Sequence, residues 1–474
     1  MGSDLEVGLV AQAWAALTSQ EEAGQSQAPD RLEVVGPSGH LPSPFPVEET
    51  AVACVAAALL AAVSVHEQRG GSVGRVTLDR SHVAAAVRSE RYFRRGGVSA
   101  GAGFAALSRF WRTGDGWVRT HANYPWHRAA LLSALGADPD AVADAMAGLA
   151  AEEVEARVFA AGGIAAAVRP LEAWRDHAQG KALVGEPLVA HRAVGDAGPR
   201  IRPVSERPAS GVRVLDLTRV IAGPVCTRYL GALGADVLRL DPPDLPDMRP
   251  GESTDTLLGK RSARLDLRSD AGAAALARLL AEADVVVCGY RPGALDRFGL
   301  SEEALAERHR GLVVVYLDAW GHGGPWAGRR GFDSIVQAAT GIAVGESAGG
   351  GEPGALPCQL LDHGTGYLAA AAALDGLRRQ ADQGGSHIRR LSLARTAWWL
   401  TSVPTSGQGP SDPPTGAADS PPWLAEVDSA RGSVTAVTPP GGIDGRPLRW
   451  PSPLTGYGDD APAWPDHDQA GLGK

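Results

Sequence analysis

The rhythm of hydrophobic positions changes near residue 210. Beyond it, short apolar runs at Val212–Leu217, Val237–Leu240, Val285–Val287 and Leu312–Leu317 alternate with helix-like segments after Ala222, at 271–282 and near 301–308. Short strands separated by helices predict βαβ units and a parallel sheet. Such sheets bind ligands beyond the carboxyl ends of their strands. Here those ends carry Arg219-Val-Ile-Ala-Gly-Pro224, Asp241-Pro242, Gly289-Tyr-Arg-Pro-Gly293 and Ala319-Trp-Gly321. Farther on, the Ala-rich, proline-free stretch Tyr367–Arg379 predicts a helix, with Asp362 at or just before its N-terminus. Upstream of 210 the pattern predicts a buried helix over about 47–68, a strand at Val76–Leu78 and a hairpin around Gly114–His121. Helices are expected near 126–135, 139–160 and 171–177, then a Pro/Ser/Gly-rich crossover at 195–211. The four glycines of Gly96–Gly103 predict a mobile loop. From Thr401 the chain is dense in Pro, Gly, Ser and Asp and reads as loop, with one short strand near Gly432–Val437. The expected divisions are 1–205, 206–400 and 401–474: a small-domain-like region, a sheet domain and a loop-rich tail.

Composition narrows the class. With 474 residues, 44% hydrophobic and 21% charged, the chain has the makings of two or three packed domains. A net charge of −9 argues against a nucleic-acid partner, though not against a local basic pocket. Cys54, Cys226, Cys288 and Cys358 are scattered without zinc or redox spacing, so a reduced, cytoplasmic setting is expected. Met1–Glu22 lacks the basic start of a signal peptide. The apolar run Ala51–Val65 is shorter than the ~20 residues of a membrane span, and no membrane partner is expected.

The candidate chemistry centres on Asp362-His-Gly-Thr-Gly366. A carboxylate at a helix start is supported by the helix dipole and by free amides. Gly364 and Gly366 leave room for a ligand, and their amides are candidate oxyanion donors. The plainer reading of Asp362 is an N-cap. No dinucleotide Gly-x-Gly-x-x-Gly follows the first strand of the sheet half. Gly259-Lys-Arg-Ser262 is not a P-loop, because Thr254 and Arg261 occupy its glycine and Ser/Thr positions. His121 and His127 read as structural or surface histidines, and no metal site is expected. Lys260, Arg261, Arg291, Arg297, Arg329 and Arg330 lie in or near loops of the sheet half, which suits a phosphorylated ligand. An internal echo pairs Leu41-Pro42 and the helix after it with Leu356-Pro357 and its helix, an offset of 315 that sets Val47 opposite Asp362.

These motifs carry a resemblance. Gly211–Pro224, Leu233–Leu240, Gly259–Ser262 with Leu265-Asp-Leu267, Ala283–Val287 with Tyr290–Gly293, Gly321–Pro325, Gly331-Phe-Asp-Ser334 and Asp362–Gly366 resemble, in order, the class III CoA-transferases of the CaiB/BaiF family. The resemblance implies an α/β fold: a Rossmann-like parallel sheet domain plus a smaller α+β domain. It implies a transferase that moves CoA between an acyl-CoA thioester and a carboxylic acid, with coenzyme A as substrate and no permanently bound cofactor. Asp362 falls on the family's catalytic aspartate. The CoA contacts fall near Ile221, Ala222, Thr256–Gly259, Lys260, Gly289, Tyr290, Arg291 and Arg297. A homodimer is compatible with the family. The order of parts departs from it, however, since residues 41–200 resemble the family's later portion yet stand in front. A fused duplication with a degenerate first copy accounts for that order and for the echo. Two alternatives stay open: an acyl-CoA racemase, whose histidine position holds Phe332 here, and a catalytically silent CoA-binding protein.

Overall fold

In a computed structural model, residues 4–18, 29–99, 103–349, 351–403, 422–451 and 453–465 are described. Residues 100–102 of the expected glycine loop, and 404–421 of the tail, lie outside them. The centre is a seven-stranded sheet of β1 (Ala190–Val194), β2 (Arg213–Leu217), β3 (Asp236–Asp241), β4 (Arg261–Arg264), β5 (Val285–Cys288), β6 (Val313–Asp318) and β7 (Ser386–Ser392). Their order is β4-β3-β2-β5-β6-β7-β1. Six strands run parallel, and β1 closes the edge antiparallel to β7. The order reverses between β2 and β5, so a crevice opens at their carboxyl ends. β5 is buried along its whole length, as a strand covered on both faces must be.

Three strands of this sheet were hidden from the pattern, among them β7, whose Ser-His-Ile-Arg-Arg-Leu-Ser has only two apolar residues. β4, Arg-Ser-Ala-Arg, is too polar to read as a strand; it is held by pairing with β3 and by the Arg261 guanidinium on Asp236 at 2.9 Å. β1 is a half-exposed edge, defined only by its partner β7. The expected helix at 139–160 is a 3-10 turn followed by helices Val142–Ala147 and Ala151–Ala160. The second of these starts where Asp115 accepts from the Ala151 amide at 2.8 Å.

Three helices set the site. The first, α1 (Val47–Gln68), is apolar on all sides. It is long and apolar enough to cross a membrane, but 83% of its apolar window is buried inside the protein. The second, α2 (Ala222–Ala232), follows β2, and the third, α3 (Leu360–Gln383), joins β6 to β7. Ala369–Ala373 of α3 and Ala56–Ala58 of α1 are fully buried in one core. Small side chains there let the helices approach closely. The tail folds back onto the N-terminal region: Gly442–Ile443 pairs with Val76–Asp79, and Val434–Val437 with Arg94–Arg95.

Candidate active site

A cavity of about 420 Å³ occupies the crevice beyond β2 and β5. The loop after β2 forms its floor and is shaped by one buried acid. Asp216 accepts from the Thr218 amide at 3.0 Å, from Thr227 Oγ1 at 2.6 Å and from Lys260 Nζ at 2.8 Å. Val220 on this loop has φ +67°, a left-handed conformation that a β-branched residue adopts only under constraint. Its amide donates to Asp247 at 3.3 Å. Gly289 closes the crevice from β5; a Cβ there would sit 3.1 Å from Thr218 Cβ.

Asp362 lies on the cavity wall, in the first turn of α3 and 6% exposed. The helix begins at Leu360, seven residues before the expected Tyr367. His-Gly-Thr-Gly is a poor helix sequence, and its own flank supplies no side-chain cap. The cap comes from elsewhere: Asp333, at the head of helix Asp333–Ala339, accepts from the Asp362 amide at 2.9 Å and from Gln337 Nε2. Burial pushes the Asp333 carboxyl up to about 6. Asp362 is held well above the usual carboxylate range, first by burial, then by the negative charges of Asp333 and Glu90. Glu90 comes from the N-terminal region and meets His363 Nε2 at 3.1 Å. Burial pushes Glu90 up, but His363, a backbone hydrogen bond and Arg91 together leave the carboxyl below its ordinary value.

The N-terminal region also lines the cavity. Tyr124, Trp126 and His127 line the cavity with Phe332. Tyr124 and Trp126 stack at 4.8 Å, and Phe332 stacks on His121 at 3.8 Å. Burial lowers His121 to about 3 and His127 to about 4, so both rings are neutral near pH 7. Arg219 lies over the Tyr124 and Trp126 rings at 5.2 and 5.8 Å. Asp247 gathers the Tyr124 hydroxyl, Arg239 Nη2 at 2.8 Å and the Val220 amide. It thereby ties this wall to the sheet.

Of the residues singled out in the sequence, Asp362, Ala222, Gly289, Tyr290, Arg291, Arg297, Arg329 and Arg330 come together around the cavity. Arg291 and Arg297 are exposed at its rim, solvated cations rather than buried ones. The others are corrected. Lys260 is fully buried beneath the floor, paired to Asp216 and without access to a ligand. Gly259, at φ +74°, makes the turn into β4 and packs under α2. Ile221 is the residue preceding α2 and packs into the core. Gly364 and Gly366 lie inside α3, where their amides serve the helix ladder and not an oxyanion. Both are packing positions: a Cβ would meet Cys54 Sγ at 3.3 Å from Gly364 and the Ala222 carbonyl at 2.5 Å from Gly366. Reading single motifs missed Asp333, Glu90, Arg219, Tyr124 and Trp126. Only Asp333 and Arg219 stood within quoted motifs.

Residues 209–422 match the family model described as CoA-transferase family III. An acyl-CoA transferase of Gibberella moniliformis is 32% identical over 301 residues, covering 58% of this chain and 53% of that protein. A probable fatty acyl-CoA transferase of Mycobacterium tuberculosis is 32% identical over 200 residues, covering 40% and 50%. The solved structure of a CaiB/BaiF family protein from Brucella suis is 27% identical, covers 48% of this chain and 65% of its own, and has a TM-score of 0.37. The chain spans about half the length of these two curated relatives.

Proposed function

We propose that this chain is a CoA-transferase that moves CoA from an acyl-CoA to a carboxylic acid, with Asp362 as nucleophile. The observation that carries it is a buried carboxylate at the head of α3, facing a cavity whose rim bears Arg291 and Arg297. Asp362 Oδ attacks the thioester carbonyl and CoA leaves as thiolate, giving an aspartyl–acyl anhydride. The thiolate attacks the Asp362 carbonyl and expels the donor carboxylate, leaving an aspartyl-CoA thioester. The acceptor carboxylate displaces the thiolate from that carbonyl, and the thiolate then attacks the acceptor's acyl carbon and frees Asp362. Burial keeps water from the anhydride, while the rim arginines suit the phosphates of CoA. The reduced, cytoplasmic setting belongs to the same proposal; all four thiols are free and buried.

The test is Asp362→Asn, which keeps the shape and removes the attacking charge. Exchange of CoA between acyl-CoA and a panel of acids should fall by at least about 10³-fold, the scale on which a lost nucleophile is felt, with CoA affinity retained. Undiminished exchange contradicts the mechanism. Deuterium incorporation at the acyl α-carbon without exchange would instead indicate racemisation.

A further inference from the structure

The cavity that Asp362 lines also holds a cation whose hydrogen bonds are unspent. Arg219 Nε and Nη2 are buried and have no hydrogen-bond partner among the described residues. These two nitrogens form one edge of the guanidinium, the edge that grips a carboxylate with two parallel N–H···O bonds. Its nearest acid is Asp247, with Oδ1 3.6 Å from Nη2, beyond hydrogen-bond reach. Asp247 is already engaged by Arg239, the Tyr124 hydroxyl and the Val220 amide. Leaving charged donors buried and unbonded is unfavourable unless a ligand completes them.

The surroundings narrow the ligand. The guanidinium lies over the rings of Tyr124 and Trp126, which hold its plane and leave its edge free. Beside it are neutral His127 and Phe332. The Tyr124 hydroxyl is committed to Asp247, and Arg330 near His127 donates to the Gly162 carbonyl at 3.4 Å, so the surface next to Arg219 is mainly apolar ring. Phe332 directly precedes Asp333, the cap of the Asp362 turn, so the aromatic wall and the nucleophile are held by one short segment.

We propose that Arg219 anchors the carboxylate of the acid that enters and leaves the site, and that the rings around it select a monocarboxylic acid with a flat, apolar body. This deepens the transferase reading and rests on it for the acid's role, not for its binding. The same N–H edge would equally take a phosphate of CoA, and the measurement separates the two.

Calorimetry on the full chain uses phenylacetate, phenylacetamide, hexanoate, succinate and CoA as probes, with wild type and Arg219→Gln. Phenylacetate should bind wild type more tightly than hexanoate or succinate do. It should lose about 10- to 100-fold in affinity in the variant, the scale of charge-assisted hydrogen bonds. Phenylacetamide should bind both proteins equally weakly, and CoA affinity should not change, which also shows that the variant is folded. Unchanged phenylacetate affinity overturns the proposal, as does weakened CoA binding, which would make Arg219 a phosphate ligand. Tightest binding of succinate overturns the assignment of the acid. Phenylacetate binding through Arg219 in a protein that exchanges no CoA would instead defeat the transferase reading and leave the subsite standing.

Discussion

Asp362 stands where its charge is least at ease. Burial, Asp333 and Glu90 all oppose its ionisation, yet attack on a thioester needs the anion. Two expectations follow at this scale. Because the folded-state pKa is raised above 3.8, ionised Asp362 destabilises the fold, increasingly as pH rises through the raised value. Asp362→Asn should therefore melt at a higher temperature than wild type at neutral and alkaline pH, with the gain vanishing below the unfolded value; equal melting at all pH values would contradict the strained carboxylate. Asp333→Asn removes one of the opposing charges, so the acid limb of the pH–rate profile should move to lower pH. A shift upward would show that the cap outweighs the charge. Lys260 makes a third case. Lys260→Ala strands Asp216 in the core and should cost about 3–5 kcal/mol in denaturant unfolding, whereas loss of CoA affinity at full stability would restore it to the site. Asp362 was legible because a carboxylate, two glycines and an Ala-rich helix share one short stretch. Asp333 and Arg219 were visible as letters only. The role of each comes from a partner far along the chain, the α3 turn for one and Tyr124 for the other.

At the level of elements, the apolar strands β2, β3, β5 and β6 were readable from hydrophobic runs, and α1 appears over Val47–Gln68 as expected. The start of α3 was not, because its cap is supplied from Asp333. The internal echo has a structural counterpart. Leu32–Val35 pairs parallel with Val76–Asp79 around α1, as β6 pairs with β7 around α3. Helix starts at Val47 and Leu360, and strand ends at Asp79 and Ser392, give an offset of 313. That sets Glu49 opposite Asp362, where the offset of 315 set Val47. Neither residue lines the cavity beside Asp362. The close contact of α3 with α2 runs through Gly366. Gly366→Ala would drive a Cβ into the Ala222 carbonyl and Val225, and about 1–3 kcal/mol of stability should be lost. Wild-type unfolding free energy in this variant would mean that the helices slide apart at no cost.

The whole molecule brings its two halves to one cavity. Tyr124, Trp126, His127 and Glu90 come from the region before residue 206, and Asp362 from α3 inside the sheet domain, within one chain. One chain is therefore expected to suffice for the proposed site. Refolding a mixture of Asp362→Asn and a Trp126→Ala variant first shown to be inactive should restore no exchange; recovery toward wild-type rates would reveal a site shared between chains. The central claim is that Asp362 itself becomes acylated. Incubating the wild-type protein with an acyl-CoA it turns over, then quenching with hydroxylamine, measures this directly by peptide mass. A hydroxamate on Asp362, at no more than one per chain and missing from Asp362→Asn, is the result expected here. Turnover of the acyl-CoA with Asp362 unmodified, or a hydroxamate on another carboxyl, would contradict it.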